Sequence, residues 1–189
     1  HQSYRELFED SIDPIFITNW DGMILEANRQ AVITTDFPKE SLQDLHIGAL
    51  FNLPGEVLGD NFAHLRANST LEYEAVMRTR SGHELPIQVA VSQGQRETSL
   101  RLQWILRDLT ERKRLDTLRN DLTSMIYHDL RSPLSNVVSS LDVFRTMLAD
   151  KENTECRSLL DIALRSTERI QRLTDSLLDM SQLEAGKGI

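Results

Sequence analysis

Two runs of apolar residues at helical spacing, separated by a short polar break, restrict this chain more than any other feature. Leu115, Leu118, Leu122 and Met125 recur at steps of 3, 4 and 3, the seam of a coiled coil. Leu122, Ile126, Leu130 and Leu134 then step by four, and Leu134, Val137, Leu141, Phe144 and Leu148 return to alternating steps. Beyond the polar stretch Ala149-Asp150-Lys151-Glu152-Asn153, a second stripe runs through Leu159, Ala163, Ser166, Ile170, Leu173, Leu177 and Met180. Leu160, Ile162, Leu164 and Leu178 widen it. Asn153 or Thr154 can cap the second helix, Glu155 suits its first turn, and Gly186 and Gly188 stop it. An apolar face this wide cannot be covered by one antiparallel pair. Two hairpins sharing it as a four-helix bundle solve the problem, so the expectation is a homodimer.

The run of fours is a stutter, which locally unwinds a left-handed coil. It falls at Tyr127-His128-Asp129-Leu130-Arg131-Ser132-Pro133-Leu134. One reading is simple drift of a helix in a bundle core. The other is a bendable segment through which movement upstream reaches His128. Pro133 favours a kink, because proline inside a helix removes a backbone hydrogen bond and crowds the preceding turn at a cost of roughly 3 kcal/mol. An imidazole nitrogen is nucleophilic only when neutral, and an ordinary histidine is largely neutral at cellular pH. Asp129 beside it can accept from the other ring nitrogen and fix the tautomer, as base-orienter pairs do. A lone histidine on a helix is more often a solvated polar residue. Here Asp129, Arg131 and Pro133 accompany it, and His128 is the candidate nucleophile.

The first part of the chain has a different period. Residues 3–10 suit a short helix with Tyr4, Leu7 and Phe8 on one side, stopped at Asp13-Pro14. Ile15 to Trp20 and Met23 to Ala27 read as a hairpin about Asp21-Gly22. Residues 28–69 carry short helical signals broken by Pro38, Pro54 and three glycines. Leu71–Thr79, Glu84–Ser92 and a stretch through Leu100, Leu102, Trp104 and Leu106 alternate as strands. Five antiparallel strands with short helices on one face make an α+β domain.

Charge excludes one class of partner. The net charge is -8, and residues 1–108 hold 16 acids against 9 Lys/Arg, so nucleic acid is not expected. No stretch approaches the roughly 18 apolar residues of a membrane span, and no secretory signal opens the chain. A single cysteine, Cys156, excludes an intrachain disulfide and a paired-cysteine metal site. A cytoplasmic setting fits. His1 stands where a start methionine belongs, which suggests a piece of a longer protein.

The residues from Phe16 through Trp20-Asp21-Gly22, Ile24-Leu25-Glu26-Ala27-Asn28, Arg80-Ser81-Gly82 and Ile105-Leu106-Arg107-Asp108-Leu109-Thr110-Glu111 resemble a PAS domain over about residues 3–112. The resemblance assigns residues 1–108 to a sensor. It makes Asp108 and Thr110 the signal exit, where the last strand hands over to a helix. PAS domains hold haem, flavin, metabolites or nothing, so the PAS ligand is unknown. The flavin-adduct subclass needs a cysteine inside the domain, and Cys156 lies outside it. His64 as a haem ligand competes with a surface histidine on a helix, the preferred reading. His46 and His83 read as solvated loop and turn residues. A pocket between sheet and helices competes with a core filled by apolar side chains.

The string from His128 to Leu134, continuing into Ser135-Asn136 and ending at Leu183-Glu184-Ala185-Gly186-Lys187, resembles the dimerisation and histidine-phosphotransfer domain of sensor histidine kinases. The resemblance implies a signalling helix over residues 109–126 and a helical hairpin over 115–187. His128 would accept the γ-phosphoryl of ATP and pass it to an aspartate of a response regulator receiver domain, with Asp129 as base or orienter. Ser135, Ser139 and Ser140 offer small side chains where that partner can approach. The family uses a Thr or Asn after the acid to assist dephosphorylation of the partner. Ser132 stands there, a departure that puts this activity in question. No Gly-rich phosphate loop occurs in the 189 residues. ATP and Mg are therefore expected in a separate catalytic domain, with no cofactor in this chain. The alternative is a non-catalytic dimeric adaptor or phosphorelay protein.

Overall fold

A computed structural model describes residues 2–67, 69–94, 100–149 and 154–186 of the chain. It divides into two compact units, residues 1–111 and 112–189. The expected loop at residues 150–153, the Asn153 cap, and Lys187 and Gly188 lie outside the described residues.

The first unit is built on a five-stranded antiparallel sheet. Its strands are β1 (Ile15–Thr18), β2 (Ile24–Ala27), β3 (Leu71–Arg78), β4 (Glu84–Gln93) and β5 (Leu102–Asp108), ordered β2-β1-β5-β4-β3. A helix α1 (Gln2–Glu9) precedes the sheet. Between β2 and β3 lie α2 (Arg29–Thr35), α3 (Lys39–Leu42), α4 (Gly55–Leu58) and 3-10 segments at Ile47–Ala49 and Asp60–Ala67. β1 ends at Thr18, two residues sooner than its apolar pattern suggests. The Asn19 side chain there accepts from the Asp21 and Met23 amides at 3.0 and 2.9 Å, and Gly22 takes φ 84° in the turn. In α1, Tyr4 and Phe8 stack at 6.4 Å while Leu7 is exposed, so the expected three-residue face is only partly used.

Alternation places Phe16, Trp104, Val91, Val89 and Ile87 on the helix-covered face, all buried. Phe51 and Phe62 from the short segments close on Trp104 at 5.9 and 5.7 Å between ring centroids. The indole N–H of Trp104 donates to Thr18 Oγ1 at 2.8 Å. Asn28, fully buried, uses its whole amide. Its Oδ1 accepts from the Ile15 and Ala31 amides at 2.9 Å each, and its Nδ2 donates to the Phe8 and Asp13 carbonyls at 3.0 Å each. One side chain thereby fixes the start of β1, the cap of α2 and the end of α1.

The second unit is a pair of long helices. The first, α5 (Thr110–Leu148, 39 residues), starts at the end of β5 and continues through Pro133 without interruption. The second, α6, runs from Thr154 to Gly186. In α6 the buried residues are Leu160, Leu164 and Thr167, and the half-buried residues of α5 include Tyr127, Leu134, Val138 and Leu141. The stripe read from sequence through Leu159, Ile170, Leu173, Leu177 and Met180 stays exposed, as do Leu115, Leu118, Leu122, Met125, Ile126 and Leu130, each of these eleven between 45% and 66%. The wide apolar face of α6 is thus two faces, one used within the hairpin and one left open. Among the described residues no helix is long and apolar enough to cross a membrane.

Candidate functional site

His128 sits near the middle of α5 with its side chain 89% exposed. Its Nδ1 lies 3.6 Å from Asp129 Oδ1, an ion-pair distance slightly too long for a hydrogen bond. Successive residues on a helix do not face each other, so Asp129 reaches the ring from the side. Asp129 thus lies on the Nδ1 edge of an exposed ring. Ser132 lies one turn on from His128, on the same face, and is exposed.

Pro133 stands four residues after Asp129. In an α-helix the N–H of residue 133 would bond the carbonyl of residue 129, and proline has no such donor. The Asp129 carbonyl is therefore the one acceptor that the helix ladder skips, immediately after the candidate nucleophile. Ser135 and Ser139 are exposed, and Ser140 bonds back to the Asn136 carbonyl at 2.7 Å.

Sequence reasoning missed Tyr127. Its phenol donates to Asp175 Oδ1 of α6 at 2.5 Å, and this bond holds the phenol above its ordinary pKa. Arg131 and Asp179, one helical turn from Tyr127 and Asp175, also act on it, the cation lowering and the anion raising the value. The available signal was that Tyr127 falls outside the Leu122-Ile126-Leu130 stripe.

At the other end of the first unit, Asp108 Oδ1 accepts from the Thr110 amide at 2.8 Å and from Thr110 Oγ1 at 2.5 Å. Leu109, buried between them, donates its N–H to the Pro86 carbonyl at 2.8 Å. The exit pair read from sequence is therefore a capped strand-to-helix junction tied into β4.

The rings of His64 and His46 hold backbone. His64 Nδ1 contacts the Val57 carbonyl at 2.8 Å and packs beside Gly59. His46 accepts from the Gly48 amide at Nδ1, 3.0 Å, so its Nε2–H donates to the Asp21 carbonyl, 2.7 Å. It is exposed, as its loop position had suggested, and also clasps the β1–β2 turn. His83 Nδ1 meets Ser81 Oγ at 2.9 Å in the β3–β4 turn. The space between sheet and short helices is occupied by the Trp104, Phe16, Phe51 and Phe62 rings. A groove of about 370 Å³ lies elsewhere, between α1, β2 and α3, lined by Tyr4, Arg5, Phe8, Glu26 and Gln43 among others.

Comparison with known proteins points to the same helical segment. Residues 118–186 match the His Kinase A (phospho-acceptor) domain, which places His128, Asp129, Pro133 and Asp175 inside it. The sensor histidine kinase WalK of Bacillus subtilis is 24% identical over 173 residues, 92% of this chain and 28% of that protein. The uncharacterized sensor-like histidine kinase ycf26 of Pyropia yezoensis is 35% identical over 80 residues, 42% of this chain and 12% of that protein. The chain thus spans between 12% and 28% of the length of these curated relatives. The PAS domain of an HTR-like protein from Haloarcula marismortui shares the fold at TM-score 0.51 and 20% identity, covering 57% of this chain and 89% of that one. A PAS domain from Colwellia psychrerythraea does so at TM-score 0.50 and 19% identity, covering 58% of this chain and 97% of that one. The chain thus carries, in order, a unit of PAS fold and a segment, residues 118–186, that matches the His Kinase A (phospho-acceptor) domain.

Proposed function

We propose that His128 is the phosphoacceptor of a two-component sensor histidine kinase, receiving the γ-phosphoryl of ATP from an ATP-binding domain and passing it to an aspartate of a response regulator. The observation that carries this reading is an exposed imidazole, flanked by Asp129, within a matched phospho-acceptor domain. Nε2 attacks phosphorus in line with the leaving ADP oxygen, so an N–P bond forms as the P–O bond breaks. The ring then carries the positive charge, and Asp129 at the Nδ1 edge stabilises it or takes the Nδ1 proton. The receiver aspartate attacks the same phosphorus, and the imidazole, keeping its Nδ1 proton or taking it back from Asp129, leaves neutral. Ser132, on the same face one turn away, can orient a water that hydrolyses the receiver's phosphoryl group.

Two copies of the hairpin form the working unit. The open stripe through Leu118, Leu122, Leu173 and Leu177 supports this, since soluble helices seldom leave such a row unpaired. The Asp108–Thr110 junction transmits the state of the PAS unit into α5, and the protein works in the cytoplasm. Incubation with Mg-ATP and a histidine-kinase ATP-binding domain tests the reading. Acid-labile phosphate should appear on the chain and vanish in His128→Gln, and its survival in that variant would overturn the assignment.

A further inference from the structure

Tyr127 and His128 are neighbours in α5, so their side chains diverge by about 100° around the helix axis. Tyr127 turns toward α6 and meets Asp175 at 2.5 Å, and His128 is thereby turned outward, 89% exposed. The rotational setting of α5 at this level therefore decides which way the imidazole faces. Further toward the loop the hairpin is held by apolar packing, with Leu160 and Leu164 of α6 buried and Leu134, Val138 and Leu141 of α5 half-buried. Such contacts tolerate rotation, because apolar contact is non-directional. A hydrogen bond between a phenol and a carboxylate does not, since it weakens steeply when misaligned.

We propose that Tyr127, through Asp175, is a positioning residue for phosphoryl transfer, setting the rotation of α5 that aims His128 at its phosphoryl donor. The proposal deepens the functional reading above and rests on it. Tyr127 does not touch the reacting atoms. It selects one register of α5 against α6, the role for which polar pairs at helix interfaces are best attested. The elevated pKa of the phenol agrees with a bond to a carboxylate that is made while the phenol is protonated.

The experiment compares two donors on the intact chain. Phosphoramidate, a small diffusible phosphoryl donor, reports only whether the imidazole is reachable. A histidine-kinase ATP-binding domain with Mg-ATP reports whether it is aimed. Tyr127→Phe and Asp175→Asn should each slow transfer from the domain by about 10-fold, the scale of a small misplacement of reacting groups. Both should leave the phosphoramidate rate and the helical content unchanged. The double variant should be no slower than either single one, because one bond is removed in all three. Equal domain-dependent rates in wild type and Tyr127→Phe overturn the positioning role and leave the phosphoacceptor assignment standing. So do additive losses in the double variant, or losses matched by the phosphoramidate rate. A wild-type chain that takes phosphate from neither donor overturns both.

Discussion

Thr110 gives two hydrogen bonds to one oxygen of Asp108, from its amide at 2.8 Å and from its hydroxyl at 2.5 Å. The last residue of the sheet thus caps the first residue of the long helix, and the unpaired N–H groups at a helix start make that cap worth having.

Asp108→Ala should cost about 1 kcal/mol of local stability at the start of α5, the usual cost of a lost cap. Hydrogen exchange at the amides of residues 110–113 should accelerate about fivefold, by the conversion of that energy. Melting of the sheet should change little. Unchanged exchange in the first turn would show that Leu109 and its bond to Pro86, not the carboxylate, secure the junction.

Asn28→Ala should destabilise the first unit by about 3 kcal/mol, because it takes the Asn28 amide away from two backbone amides and two carbonyls. Asn28→Asp should be similarly damaging, since a carboxylate cannot donate to the Phe8 and Asp13 carbonyls. Urea titration followed by Trp104 fluorescence measures both. A loss below 1 kcal/mol in either variant contradicts the full use of the amide.

The two faces of α6 separate by mutation. Leu122→Glu with Leu173→Glu puts charge on the open stripes and should convert a dimer to a monomer in sedimentation at micromolar concentration. Leu164→Ala, on the buried face, should lower hairpin stability by about 2–5 kcal/mol. If wild type sediments as a monomer, the paired-hairpin reading fails outright.

Alkaline pH probes the packing of the first unit. Burial raises the Tyr73 phenol well above its usual value, and its O–H donates to the Asn52 carbonyl at 3.1 Å. The folded state therefore holds this proton more tightly than the unfolded state. The associated stability is complete below the unfolded tyrosine pKa near 10 and falls as pH climbs toward the folded value. Tyr73→Phe should flatten this alkaline loss, and titration of absorbance at 295 nm should show one fewer late-ionising phenol. An unaltered alkaline profile in that variant contradicts the burial argument.

Periodic and local features were legible in the sequence. Alternation through Leu102, Trp104 and Leu106 gave the last strand, and the heptad steps from Leu115 gave the long helix. His128 with Asp129 and Pro133 marked a candidate site by local spacing and by resemblance to the histidine-phosphotransfer domain. What escaped depended on partners distant in the chain. Tyr127 and Asp175 lie 48 residues apart, and neither has a local pattern naming the other. The clasp of His46 on the Asp21 carbonyl, which belongs to a turn 25 residues earlier, escaped in the same way. The division of the α6 stripe also escaped, because period alone says which residues share a face and not which neighbour covers it.

The missing donor at Pro133 bears on how α5 responds to load. Bending a helix ordinarily stretches or breaks a carbonyl's bond to the amide four residues on, and that resistance makes the rod stiff. At Asp129 there is no such bond to stretch, so α5 lacks that resistance one residue past His128. On the proposed function, a torque or thrust carried along α5 concentrates its strain at this point and turns the imidazole.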